Sequence, residues 1–212
     1  MDNINIKDKK LIYHLTSIEN LDSIIKNGLQ PRNNISPNVD IADSEIIDKR
    51  KNINGINLLE YVPFHFFINN PFDGIVKKRN KDINFVYICV HRDIAKDKGF
   101  KIIPIHPLSN NISTKFPEII YDYNEGFGII DWDKMETKEY VNQNCKNICL
   151  AECLYYGTMP IDYIFSIVVK DDESYKKVDE ILKSNNILNL FDKKYIRNDN
   201  IDIFLDIENS WF

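Results

Sequence analysis

Two periods of apolar and polar positions run along the chain, and the switches between them mark its elements. From Lys10 to Thr16 the run Lys-Leu-Ile-Tyr-His-Leu-Thr reads as a strand. Residues two apart on a strand face the same way, so His14 and Thr16 point together to one side. Ser17 then stands as an N-cap, and Ile18, Leu21, Ile24 and Ile25 follow at helical spacing. Gly28 supplies the stop, which predicts a helix over 17–27. Residues 30–42, with Pro31, Pro37 and several asparagines, predict a long loop. A short helix is expected from Ser44 to Lys51, ending in Lys49-Arg50-Lys51.

The aromatic and branched run from Tyr61 to Ile68 predicts a strand, with Pro63 marking an irregular start or an edge. Phe85 to Val90 is the clearest buried strand, and 92–98 a short helix or turn. Residues 104–145 carry prolines and polar clusters with short helical patches, a connection of a length that is usually functional or disordered. Strands are expected over 147–154, 164–169 and 201–205. Asp171 to Lys183 is an amphipathic helix, acidic at its start and lysine-rich later. The fold class is therefore α+β, with strands dominating the middle.

Composition narrows the function classes. A chain of 212 residues with no repeat and no long linker is read as one domain, 1–212. The net charge of -5 excludes a globally basic nucleic-acid surface. Any such contact is local, and Lys49-Arg50-Lys51 and Lys77-Lys78-Arg79 are the two basic clusters, although a run of three charges is ordinarily a solvated loop. The N-terminal segment lacks a secretory pattern and no apolar run approaches a membrane span, which predicts a cytoplasmic protein. Cys145, Cys149 and Cys153 form C-x3-C-x3-C, without the paired spacing that zinc wants. With Cys89 they read as free, mostly buried thiols, and no metal is expected.

Dinucleotide and P-loop glycine motifs, H-E-x-x-H and G-x-S-x-G are all absent. Two carboxylates stand out by context. Asp131 precedes Trp132 after the apolar step Gly128-Ile129-Ile130, and Glu152 interrupts the run Ile148 to Leu154. Burying an unpaired carboxylate is costly, so Glu152 either faces solvent, pairs with a buried base, or faces a ligand. On the residues alone the first two readings are the simpler ones. An ordinary buried strand whose histidine is satisfied by a neighbour is likewise the simpler reading of His14.

Four segments in order change that balance. They are Tyr13-His14-Leu15-Thr16 with Asn20-Leu21 and Gly28-Leu29, then Tyr61-Val62-Pro63-Phe64-His65-Phe66 with Asn70-Pro71, then Asp131-Trp132, then Ala151-Glu152-Cys153-Leu154. Over roughly residues 10–170 the chain resembles the DarT family of DNA ADP-ribosyltransferases, the toxins of DarTG toxin–antitoxin systems. The resemblance implies an ADP-ribosyltransferase-like split, mostly antiparallel β core with flanking helices, binding NAD as substrate in a central cleft. It implies His14 and Thr16 at the nicotinamide–ribose half of NAD, with Asn20 and Tyr61 also at the cofactor. Glu152 would be the catalytic glutamate, and its removal would abolish transfer with the fold intact. Arg50 would serve the phosphates or the attacking base, its other reading being a surface helix residue.

Leu150, two before Glu152, departs from the Glu- or Gln-x-Glu pattern of protein-targeting relatives, which fits a nucleobase acceptor. The stretch Lys134–Lys146, with Asn142, Gln143, Asn144 and Lys146, would be a substrate-facing loop, its alternative being a mere connector. The implied activity is transfer of ADP-ribose to a base, thymine first, in single-stranded DNA. The alternatives are guanine, RNA or protein as acceptor, or a catalytically silent nucleic-acid-binding module on the same fold. The implied partner is a DarG-like macrodomain antitoxin.

Overall fold

The computed structural model describes residues 4–109, 118–185, 188–191, 194–196 and 202–212. Its strands are β1 (Leu11–Ser17), β2 (Tyr61–His65), β3 (Phe85–His91), β4 (Lys101–Ile103), β5 (Tyr121–Asp122), β6 (Glu152–Tyr156), β7 (Ser166–Val169), β8 (Leu188–Phe191), β9 (Lys194–Ile196) and β10 (Asp202–Ile207). Its helices are α1 (Leu21–Asn27), α2 (Ser44–Arg50), α3 (Pro71–Arg79), α4 (Arg92–Asp97), α5 (Tyr123–Ile129), α6 (Trp132–Thr137), α7 (Gln143–Ile148) and α8 (Asp172–Ser184). The strands form one sheet in the order β5-β4-β6-β2-β1-β3-β7-β10-β9-β8. Every pairing is antiparallel except β7 with β10, which the α8 crossover makes parallel. The expected α+β, mostly antiparallel core is what forms.

β3 is apolar throughout because both faces of the sheet are covered where it lies. Val86, Ile88 and Val90 join one core cluster with Ile12, Val62 and Phe64. Phe85, Tyr87 and Cys89 join a second, with Tyr13, Leu15 and Val168. β1 pairs with β3 along its whole length, from Leu11↔His91 to Ser17↔Phe85. On its other side β1 meets β2 at one residue pair, Tyr13↔His65. Beyond that pair the sheet splits. Pro63 sits in this opening, has no N–H to contribute to a ladder, and its carbonyl receives the His14 ring instead of a β1 amide (Nδ1 to O, 2.8 Å).

Helix boundaries follow local chemistry. Ser17 caps as expected, accepting from the Glu19 amide, though a 3-10 turn over Ile18–Asn20 precedes α1. Gly28 ends α1 at φ 82°, and a Cβ there would lie 2.8 Å from the Met159 carbonyl oxygen. α3 was not anticipated, yet its signals are local. Asn70 accepts from the Phe72 and Asp73 amides, Pro71 occupies the first turn, and Lys77, Lys78 and Arg79 fill the last turn, where cations favour the helix dipole. That basic cluster is thus a helix end, not a loop.

The largest departure concerns 147–154, which is not one strand. α7 runs to Ile148, and β6 begins only at Glu152. Cys145, Ile148 and Cys149 are buried at helical spacing, so the cysteine triplet is largely a helix face. All four cysteines are buried and free. Burial raises the thiol pKa of Cys89 and of Cys149 to about 12 each. The 104–145 connection also contains more order than expected, namely β5, α5, α6 and the start of α7. Asp131 caps α6, accepting from the Lys134 amide at 3.0 Å. Trp132 packs edge-on against Phe66, with ring centroids 5.2 Å apart. This pair is structural.

Candidate active site

The split between β1 and β2 opens into a cavity of about 410 Å³, within the usual range of roughly 300–1,000 Å³ for small-molecule sites. His14 and Thr16 from β1, Tyr61, Pro63 and His65 from β2, Arg50 from α2 and Glu152 from β6 line it, with much of the 30–42 segment along one wall.

At its centre is an ion pair between residues 102 positions apart in sequence. Arg50 Nη1 donates to Glu152 Oε1 at 2.7 Å, and Nη2 to Oε2 at 2.8 Å. This is the parallel two-bond fork that guanidinium and carboxylate form best. Both groups are shielded, the side chains being 12% and 6% exposed. Burial opposes the charged form of Glu152, but the adjacent Arg50 charge and its hydrogen bonds outweigh that and hold the carboxyl below its ordinary pKa. Burial also opposes the Arg50 cation, and Glu152 outweighs it, raising the guanidinium further. Both therefore stay ionised. Of Lys49-Arg50-Lys51, Arg50 alone turns inward, because it ends α2 facing β6.

The fork uses one lone-pair direction on each carboxylate oxygen. A carboxylate has about four such sites, so Glu152 stays anchored and can still accept from hydroxyls of a ligand.

His14 closes the mouth of the split. Burial pushes its pKa down to about 4, overriding the opposing bond to Pro63. The ring is then neutral near pH 7. Since a carbonyl only accepts, Nδ1 carries the hydrogen and Nε2 offers a lone pair. Thr16 is buried and its hydroxyl receives the Asn20 amide at 3.2 Å. Asn20 also lines the cavity, and its side chain bonds to the chain itself. Its Nδ2 donates to the Val39 carbonyl (2.9 Å) and its Oδ1 accepts from the Val39 amide (3.0 Å), as a strand neighbour would. Both amide hydrogens are thereby used, so Asn20 shapes the cavity by pinning the 30–42 wall. Tyr61 stands at the rim, edge-on to Tyr156 with centroids 5.2 Å apart.

Asn142, Gln143, Asn144 and Lys146 do not line the cavity. Asn142 caps α7, accepting from the Asn144 and Cys145 amides. Gln143 is bonded to Asn147 at 2.8 Å. The expected loop is two helices joined by a turn, in which Val141 is fully exposed. Two histidines that do line the cavity were not anticipated as site residues. His106 follows β4, with its amide bonded to the Asn147 carbonyl at 2.8 Å. Burial lowers its pKa against the pull of Glu152, with Arg50 assisting. His65 lies directly across the strand pair from Glu152. The alternation Tyr61, Pro63, His65 on one face of β2 was the signal for the second.

The sequence matches the family profile described as DarT, ssDNA thymidine ADP-ribosyltransferase, over residues 13–200. The chain belongs to the DarT family. Among solved structures this DarT chain is similar to Thermus sp. 2.9 DarT in complex with ADP-ribosylated ssDNA, at 19% identity and TM-score 0.75, covering 96% of each chain. It is similar to the same Thermus protein in complex with NAD+, at 19% identity and TM-score 0.71, covering 96% of this chain and 97% of that one. It also matches Thermosipho africanus DarTG in complex with ADP-ribose, at 21% identity and TM-score 0.64, covering 96% of this chain and 51% of that one. No curated protein matches. The family match spans β1 to β9 and so takes in the elements from which the split-sheet cavity is built.

Proposed function

We propose that this chain transfers ADP-ribose from NAD to thymine in single-stranded DNA, with Glu152 and Arg50 as its catalytic pair. The observation that carries this reading is the buried, bidentate Arg50–Glu152 pair facing the cavity at the split. Cleavage of the nicotinamide–ribose bond sends its electron pair to nicotinamide, which leaves neutral, while positive charge develops on the ribose. A fixed carboxylate stabilises that charge more in the transition state than in the ground state. The new bond forms between the ribose carbon and a ring nitrogen of the base. That nitrogen loses its proton, for which Glu152 is the base.

Neutral His14 offers Nε2, and Thr16 its hydroxyl, to the nicotinamide–ribose half. Tyr61 serves at the rim. Asn142, Gln143, Asn144 and Lys146, beside the exposed Val141 of the α6–α7 turn, are the side chains we assign to the acceptor strand, Asn142 acting through the helix cap. Among the described residues no helix is long and apolar enough to cross a membrane. We place the reaction in the cytoplasm, where NAD and unpaired DNA meet, opposed by a DarG-like macrodomain that removes the modification.

Incubation with labelled NAD and, in parallel, single-stranded DNA, duplex DNA, RNA and protein tests the reading. Label is expected on thymine of single strands, because a base that is already unpaired avoids the cost of flipping, and it should weaken as salt rises. Label on RNA, protein or guanine instead, or duplex modified as fast as its strands, overturns the acceptor assignment.

Asn20→Ala tests the pinned wall. Two hydrogen bonds to Val39 are lost, together worth about 2 kcal/mol. The KM for NAD should rise by roughly tenfold with a smaller change in kcat, as for lost uniform binding. An unchanged KM would place the 30–42 segment outside the NAD site.

A further inference from the structure

We propose that His65 is a positioning residue that sets the aim of Glu152. The inference rests on the functional reading above and names a part of that site which neither the ion pair nor the NAD contacts include.

Three observations converge on His65. It is the cross-strand partner of Glu152 in the β2–β6 ladder, the last pair before β2 ends. Side chains of such pairs sit side by side on one face of the sheet. Its Nδ1 is bonded to the carbonyl of Ala151 at 3.2 Å. The carbonyl can only accept, so Nδ1 carries the hydrogen whatever the charge of the ring. The Ala151 carbonyl belongs to the peptide whose nitrogen is that of Glu152. Fixing that peptide plane therefore fixes the direction in which the glutamate leaves the backbone, at the point where α7 has ended and the strand has just begun.

The ring is itself held by a neighbour that also lines the cavity. Phe72, at the start of α3, lies against it with centroids 5.6 Å apart and planes tilted by 35°. Asp73, next to Phe72, is buried. Burial raises its pKa, and the charges of His65 and Lys77 and the bond from Tyr87 oppose the rise. Tyr87 donates to Asp73 Oδ2 at 2.7 Å, and Lys77 Nζ donates to the Tyr87 hydroxyl at 2.8 Å. The residue after Phe72 is thus anchored in a polar network, which fixes the start of α3 and with it the ring that packs on His65. Arg50 grips the glutamate at its tip, and His65 governs it at its root. Two constraints at opposite ends of one side chain leave it little freedom, and a misplacement of about 1 Å in such a group can cost on the order of a hundredfold in rate.

The test compares His65→Ala, His65→Phe and His65→Asn in full-length protein, with thermal melts to confirm folding. Asn places an amide N–H close to the position of Nδ1, whereas Phe keeps the stacking on Phe72 without a donor. Initial rates are measured with NAD and single-stranded DNA. A positioning role predicts that Ala and Phe lower kcat by about tenfold to a hundredfold, with the KM for NAD changed by less than about threefold, and that Asn restores most of kcat. Loss of packing alone would spare Phe and not be rescued by Asn. A folded Ala variant with unchanged kcat, an Asn variant no better than Phe, or a change confined to KM overturns the inference. If the wild type consumes NAD and modifies DNA while His65→Ala does the same at equal rate, the functional reading stands and this inference alone fails. A wild type that transfers nothing overturns both.

Discussion

Glu152→Gln is expected to reduce ADP-ribose transfer by about a hundredfold or more, because in the proposed reaction it removes a fixed negative charge facing the developing ribose cation. The substitution keeps the shape of the side chain and an amide oxygen that accepts from one Arg50 nitrogen. Its NH2, however, meets a second guanidinium donor and is repelled. NAD binding should change far less than turnover, since the charge matters most in the transition state. Single-turnover rates with saturating NAD and single-stranded DNA, beside calorimetry of NAD binding, separate the two effects. A folded Glu152→Gln protein with near-wild-type turnover would remove Glu152 from the catalytic role. The expectation that Glu152 can be removed with the fold intact needs revision. Glu152 is 4% exposed and forked to Arg50, so truncation to alanine strands a guanidinium in a shielded place. Glu152→Ala should lose stability as well as activity.

The sequence was legible where local signals and tertiary structure agree. β1, with His14 and Thr16 on one side, the Ser17 cap and the Gly28 stop all follow from spacing and from what those residue types do to backbone. β3 was legible because an apolar run of that length flanked by polar residues is doubly covered. The run at 147–154 was misread because short apolar stretches have no unambiguous period, and Cys145, Ile148 and Cys149 obey the helical one. The aromatic run continues to Ile68 although β2 ends at His65, so hydrophobicity alone masks the boundary that Asn70-Pro71 marks for α3.

Within the site, Glu152 was legible as a carboxylate in an apolar run, and Arg50 only through the family resemblance, without its pairing to Glu152. Nothing local distinguishes Arg50 from Lys49 or Lys51. What selects it is α2 ending so that its last residue faces β6, and that is a property of the assembled sheet. The same holds for Asn20, whose residue type suits either a ligand or a backbone. Its bonds to Val39, which fix it in the cavity wall, appear only in the folded chain. His65 and His106 were hidden for a different reason. His65 is embedded in an aromatic run and His106 in a proline-bearing connection, and neither setting marks a ligand-facing ring.

Arg50→Met is expected to destabilise the fold by about 3–5 kcal/mol at neutral pH, because it leaves a buried carboxylate without a counter-charge. Replacing both members, Arg50→Met with Glu152→Leu, should recover most of that loss, since two apolar side chains carry no desolvation penalty in the same space. Activity should be absent from the double variant all the same. The pH dependence gives the sign. In the wild type the Glu152 pKa lies below its ordinary 4.5, so the folded state binds fewer protons than the unfolded state as pH falls through that value. The stability that the pair contributes is present above about 4.5 and is lost as pH falls through the lowered pKa of the folded protein. Without Arg50 the opposing charge is gone and burial dominates, so the folded-state pKa rises above 4.5. The folded state then binds more protons, and the Arg50→Met protein should gain stability as pH falls towards 4.5 while the wild type does not. Urea denaturation from pH 7 to pH 4 on the wild type, both single variants and the double variant measures this. A pair that mattered only to catalysis would give parallel profiles for all four proteins, and a double variant as unstable as Arg50→Met would show that packing, and not the stranded charge, carries the cost.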